Sequence, residues 1–159
     1  MTALNRNSRN RLATCHADLE RIILQVAATM NLSVLWGYRN QEDQDTAYGL
    51  GHTKLRFPHS LHNRNPSLAV DVAPFPLDFA TYQDPRFREL AMRRYSLMAG
   101  SILQVAKGLG INLRWGGDWQ GRLMDPGGRD LLDVYHEQRF DDLGHFELWE
   151  ARNEHQPGG

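Results

Sequence analysis

SLHNRNPSLAVDVAP, residues 60–74, joins a polar, proline-containing run to a short apolar segment that has a carboxylate at its centre. Successive side chains of an extended strand point to opposite faces. In LAVDV, Leu68, Val70 and Val72 therefore face one way, and Ala69 and Asp71 the other. One face can be buried against helices while Asp71 looks into a cleft. His62, in the loop before the strand, can fold back toward that carboxylate. The fold then depends on what covers the apolar face and what lies beside the strand.

Upstream, Leu19, Ile22, Ile23, Val26, Ala27 and Met30 recur at helical spacing and predict an amphipathic helix with one buried stripe. LSVLWGY (32–38) predicts a strand ended by Gly37, and QEDQDTAYGLG a short helix closed by glycine. Downstream, Asp84 and Pro85 give a cap and first-turn signal. A long apolar stripe from Phe87 through Leu97, Met98, Ile102 and Val105 then predicts a helix ending at Gly108 or Gly110. INLRW predicts a strand with Ile111, Leu113 and Trp115 on one side. GGDWQGRLMDPGGRD reads as loop. HFELW (145–149) alternates again, with Phe146 and Leu148 on one face and His145, Glu147 and Trp149 on the other. The expected class is α+β: a small, mainly antiparallel sheet, helices on one side and a cleft on the other.

The chain has 159 residues, enough for one domain with a real core, and its 41% hydrophobic and 23% charged content is that of an ordinary globular protein. No linker divides it, so residues 1–150 are expected to form one domain and 151–159 a tail. There is no run of about 18 apolar residues, which excludes a membrane-inserted reading. MTALNRNSRNRLAT lacks the apolar region of a secretory signal. One cysteine, Cys15, permits no internal disulfide. A net charge of −1 gives no nucleic-acid signal. Acidic residues concentrate after Trp115, as a solvated surface or a cation site.

If the strands of LAVDV and HFELW are neighbours, Asp71 and His145 project from the same side of one sheet. With His62 they make a plausible zinc site, because zinc favours tetrahedral N/O ligation and a catalytic site leaves one position for water. Such an ion lowers the pKa of water to about 7, and Asp142, three residues before His145, is placed to take the proton. Spacing alone leaves the plainer readings open: surface or core histidines, an edge aspartate, and turn residues at Asp141 and Asp142. YHEQRF lacks a second histidine for the short zinc motif. No nucleophile elbow or phosphate loop offers another enzyme.

The order Ser-x-His, Ala-x-Asp, Asp-x-x-His resembles the zinc peptidases related to D-alanyl-D-alanine carboxypeptidases and VanY/VanX-type enzymes. More closely, the chain resembles single-domain phage endolysins of the L-alanyl-D-glutamate peptidase type. The likeness runs from NSRNRLATCHADL through GYR, SLHNRNPSLAVDVAPFP and LGINLRWGGDW to DDLGHFEL. It implies a hedgehog/D-Ala-D-Ala peptidase-like fold and a single catalytic zinc ion on His62, Asp71 and His145. It also implies Asp142 as general base and Arg39 as the residue that binds substrate or steadies the developing oxyanion. The alternative for Arg39 is a surface ion pair with Glu42 or Asp43, which the motif disfavours. The link between His62 and Asp71 is longer than in many relatives and raises His59 as a rival ligand; the Ser-x-His context favours His62. His52 and His136 have no motif support. Tyr38, Ser60, Trp115 and Trp119 are candidate substrate contacts, with core roles as the alternative for the aromatic residues. Calcium regulates some relatives, yet Asp118, Asp125, Asp130 and Asp133 fall into no recognisable oxygen cage, so none is expected here.

The expected activity is zinc-dependent cleavage of the L-Ala–D-Glu bond in peptidoglycan stem peptides, lysing a bacterial host. A D-Ala-D-Ala carboxypeptidase or dipeptidase would use the same chemistry, and a zinc-stabilised wall-binding module would keep the scaffold without catalysis. The resemblance also implies a monomer that accumulates in the host cytoplasm and reaches the wall through a holin-like partner.

Overall fold

The computed structural model describes residues 4–76, 85–137 and 142–149. In chain order its elements are α1 (Arg6–Leu12), α2 (Ala17–Ala27), β1 (Leu32–Trp36), α3 (Gln41–Gly49), a 3-10 turn (Leu61–Asn63), β2 (Ala69–Pro74), α4 (Pro85–Gly108), β3 (Leu113–Gly116), α5 (Leu131–Glu137) and β4 (Asp142–Leu148). Asp84, Asp141 and the expected tail lie outside the described residues.

The four strands form one sheet in the order β1-β2-β4-β3, and all three pairings are antiparallel. The strand that carries Asp71 is thus interior, flanked on both edges. Its Val70 and Val72 join Val34 of β1 and Phe146 of β4 in one buried layer. Ile22, Ile23 and Val26 of α2 and Met98 and Ile102 of α4 cover that layer. Each such side chain contributes roughly 1.5–3 kcal/mol when fully buried. This is the expected one-sided helix layer.

The ends of the helices follow local chemistry. His16 caps α2 by accepting from the Asp18 amide at 3.1 Å. The helix stops at Ala27, before Met30, whose amide still reaches back to Val26. After α4, Gly110 takes φ +70, a left-handed conformation that returns the chain toward β3.

Two helices were not anticipated. α1 lies along β1, where Ser8 Oγ accepts from the Val34 amide and Arg11 donates to the Val34 carbonyl. It satisfies backbone groups on an edge strand that would otherwise offer them to another chain. α5 follows the turn-rich segment and buries Val134. On the face opposite α2 and α4, α3 and the 3-10 turn form the rim of the cleft.

Candidate metal centre

Asp71 of β2 and His145 of β4 are partners in strand register, so both project from the cleft side of the sheet. The third member comes from the 3-10 turn. Ser60 Oγ accepts from the His62 amide, and Asn63 Oδ1 accepts from the Ser60 amide, closing a reciprocal cap. The capped turn aims the buried His62 ring at the strand pair. His62 Nε2 lies 3.2 Å from Asp71 Oδ1 and 3.3 Å from His145 Nδ1, and His145 Nδ1 lies 3.0 Å from Asp71 Oδ1. Among the described residues, this is the one group of three or more His, Cys, Asp or Glu side chains able to hold a metal ion.

The outer nitrogens of the two rings are already engaged. His62 Nδ1 donates to the Gly37 carbonyl at 2.7 Å, and His145 Nε2 donates to Glu147 Oε2 at 3.0 Å. Metal-binding histidines are oriented in this way, with the far N–H held by a carbonyl or carboxylate and the near lone pair free. Zinc at about 2.0–2.1 Å from its ligands sets tetrahedral ligand-to-ligand distances of roughly 3.3 Å. The observed 3.0–3.3 Å triangle matches that spacing. A recess of about 20 Å³ beside the three side chains is the size of one ion or one water. The donor set fits zinc.

Burial disfavours a charged His145, but hydrogen bonds to Asp71 and Glu147, with the charges of both, outweigh it and push the ring up to about 10. Burial also works against the Asp71 anion, and the charges and hydrogen bonds of His62 and His145 still hold it well below the usual carboxylate range. A metal bound there would compete with that proton.

Arg39 is buried and donates to Asp71 Oδ2 at 3.1 Å and to Gln44 Oε1 at 3.3 Å. It pairs with the central carboxylate rather than with Glu42 or Asp43. Asp142 opens β4 and lines the recess together with Arg39. Burial is the main cause that raises its carboxyl, followed by the negative charge of Asp71, against the lowering charges of His145, His62 and Arg39. Both residues also line a cleft of about 610 Å³ walled by Leu35, Trp36, Ala47, Leu50, Tyr95 and Leu143. A largely apolar groove that shares Arg39, Asp71 and Asp142 with the recess can take a peptide beside the three donors.

The remaining candidates are dispersed. Ser60 is buried and acts as the cap of the His62 turn while lining the recess. Trp119 stacks beside His145 with ring centroids 5.4 Å apart. Trp115 packs against the core and donates from Nε1 to the Leu143 carbonyl, and it is not among the residues lining the cleft. Tyr38 is half-buried, and its amide donates to Thr14 Oγ1. His59 is exposed in a turn, and His136 is exposed on α5 beside Tyr135. His52 is exposed, yet lines both recess and cleft, a placement its sequence context did not signal. Glu147 and Gln44, which hold His145 and Arg39, were also missed. Alternation had put Glu147 on the His145 face, and that was its only signal. In the acidic loop, Asp118, Asp125 and Asp130 accept from backbone amides of their own turns.

A structure described as Serratia marcescens L-Ala D-Glu endopeptidase ChiX is similar over 97% of this chain and 96% of that one, with a TM-score of 0.64 and 21% identity. That likeness carries the fold. No curated protein matches the chain. The phage L-alanyl-D-glutamate peptidase family matches residues 1–149, which include every residue of the centre. With the match spanning the whole described structure, the chain belongs to the phage L-alanyl-D-glutamate peptidase family.

Proposed function

We propose that this endolysin-type peptidoglycan peptidase is zinc-dependent, with His62, Asp71 and His145 as the ligands. The observation behind this reading is the convergence of three lone-pair donors within 3.3 Å of one another, with both outer N–H groups already bonded elsewhere. When bound, zinc supplies a Lewis acid and an acidified water.

The chain's own residues do the rest. The groove orients the stem peptide so that the carbonyl between L-Ala and D-Glu lies over the recess. Asp142 accepts the proton of the attacking water; burial makes its carboxylate a stronger base than an exposed one. Arg39, a permanent cation on the groove wall, opposes negative charge growing on the scissile oxygen. The water oxygen bonds to the carbonyl carbon, the C–N bond breaks, and Asp142 returns its proton to the departing amine of D-Glu. Asp71 stays ionised throughout, held by its neighbours.

The same reading has the enzyme act as a monomer, held in the host cytoplasm until a holin-like partner gives it access to the wall. It is supported by the family.

The test is digestion of purified peptidoglycan followed by mass spectrometry of the fragments. Wild type should release peptides that begin with D-Glu and leave L-Ala on the glycan. Asp142→Asn should keep its zinc and lose roughly 10²–10⁴-fold in kcat. Loss of terminal D-alanine alone, or near-normal turnover by Asp142→Asn, would sink the reading.

A further inference from the structure

Glu147 has no solvent exposure, and its partner Arg114 is only 7% exposed. A wholly buried carboxylate is expensive to keep in a small domain, and a fold seeking only stability would do as well with apolar side chains in its place. This pair has a definite architecture instead. Arg114 of β3 and Glu147 of β4 are register partners across the strand pair, and Arg114 Nη2 lies 2.6 Å from Glu147 Oε1. The other carboxylate oxygen, Oε2, accepts from His145 Nε2 at 3.0 Å. The guanidinium lies over the Trp119 ring at 4.9 Å and over the Trp149 ring at 5.0 Å. Trp119 also lies against the His145 ring at 5.4 Å. The two indoles thus flank the arginine that pairs with the side chain gripping the outer nitrogen of His145.

We propose that Arg114 and Glu147 are positioning residues that fix the His145 tautomer, so that Nδ1 meets the metal, and slow the metal's release. The inference rests on the zinc reading of His62, Asp71 and His145. In mechanical terms, Arg114 stops the carboxylate from rotating, and the carboxylate stops the imidazole from flipping. An anionic acceptor also makes the ring a stronger donor to a cation. Trp119 and Trp149 keep water from competing for the guanidinium. A purely structural pair would influence folding and leave the metal's residence time alone.

The experiment uses the full chain loaded with zinc and follows zinc release into excess chelator, with a cobalt-substituted sample for its visible spectrum. Glu147→Gln keeps the shape and an acceptor but loses the charge. The double change Arg114→Met with Glu147→Leu removes both charges together, so no unpaired ion is left buried. Zinc release should be about 10–100-fold faster in the double variant, and less so in Glu147→Gln. The cobalt bands should shift in both. A folded double variant with wild-type release and an unchanged cobalt spectrum would overturn the proposal. Nitrogen-15 spectra of the zinc-loaded wild type give a second arm that needs no variant. His145 must carry its proton on Nε2 and bind through Nδ1, and the opposite tautomer overturns the proposal. A wild type that takes up no zinc would instead remove the metal reading on which it stands.

Discussion

The two imidazoles of the centre are 3.3 Å apart at their inner nitrogens but are held by different kinds of structure. His62 is held by main chain: its turn is capped by Ser60, and its outer nitrogen donates to the Gly37 carbonyl. His145 is held by side chains: a strand position, a buried glutamate, an arginine and an indole. A carbonyl cannot be deleted by mutation, whereas a carboxylate can. The loop side can therefore be disturbed only by changes that move the backbone. The strand side tolerates backbone change poorly too, being in register with two neighbours, but its chemistry can be tuned one side chain at a time.

The strongest challenge to that contrast removes the rings themselves. His62→Ala and His145→Ala should each abolish activity to a similar extent, roughly 10⁴-fold in peptidoglycan hydrolysis, because the ligands act as one unit. Unequal losses, measured as released peptide per unit time, would mean that one ring is dispensable.

A subtler change separates the two sides. Gly37 sits where a Cβ would collide with Thr14 Oγ1 and the Arg11 carbonyl, so Gly37→Ala must move the backbone that presents the carbonyl to His62. Overpacking of this kind costs about 1–3 kcal/mol, a Tm fall of roughly 3–10 °C. Zinc should also leave faster. Thermal melts and chelator release measure both, and an unshifted melt would show that this contact has slack.

A further test concerns protons. Between about 6.5 and about 10, folded metal-free protein keeps a proton on His145 that the unfolded chain has released. The unfolded state then binds fewer protons, so stability falls as pH rises through that window and is fully present below it. Chelated protein should melt lower at pH 9 than at pH 6.5, and zinc should flatten the slope. A flat profile for the chelated protein would contradict the ion network around His145.

Much of this was legible in the sequence because it rests on period. Alternation in LAVDV and HFELW predicts that Asp71 and His145 share a face, and the α2 stripe with Met98 and Ile102 of α4 predicts their cover. Phe87, Leu90 and Leu97 of the α4 stripe are instead exposed. α1 escaped notice because RNSRNRL shows one apolar residue, Leu12, and its other buried residue, Ser8, works by hydrogen bonding. α5 escaped because Leu131, Leu132 and Tyr135 are exposed, leaving Val134 without a stripe to belong to. Gln44 and Glu147 look like surface residues until tertiary structure closes over them. Arg114 is covered only because Trp119 and Trp149, from a loop and a strand end, come to lie beside it. Such meetings leave no local signature.

Asp71 and His145 are register partners although 74 positions separate them, with α4 and β3 between. A growing chain that has emerged only as far as α4 holds two donors of the three, too few to grip an ion firmly. The third arrives when β4 zips onto β2, the same event that completes the sheet. On the proposed zinc reading, the full ligand set therefore exists only in a chain whose sheet is complete.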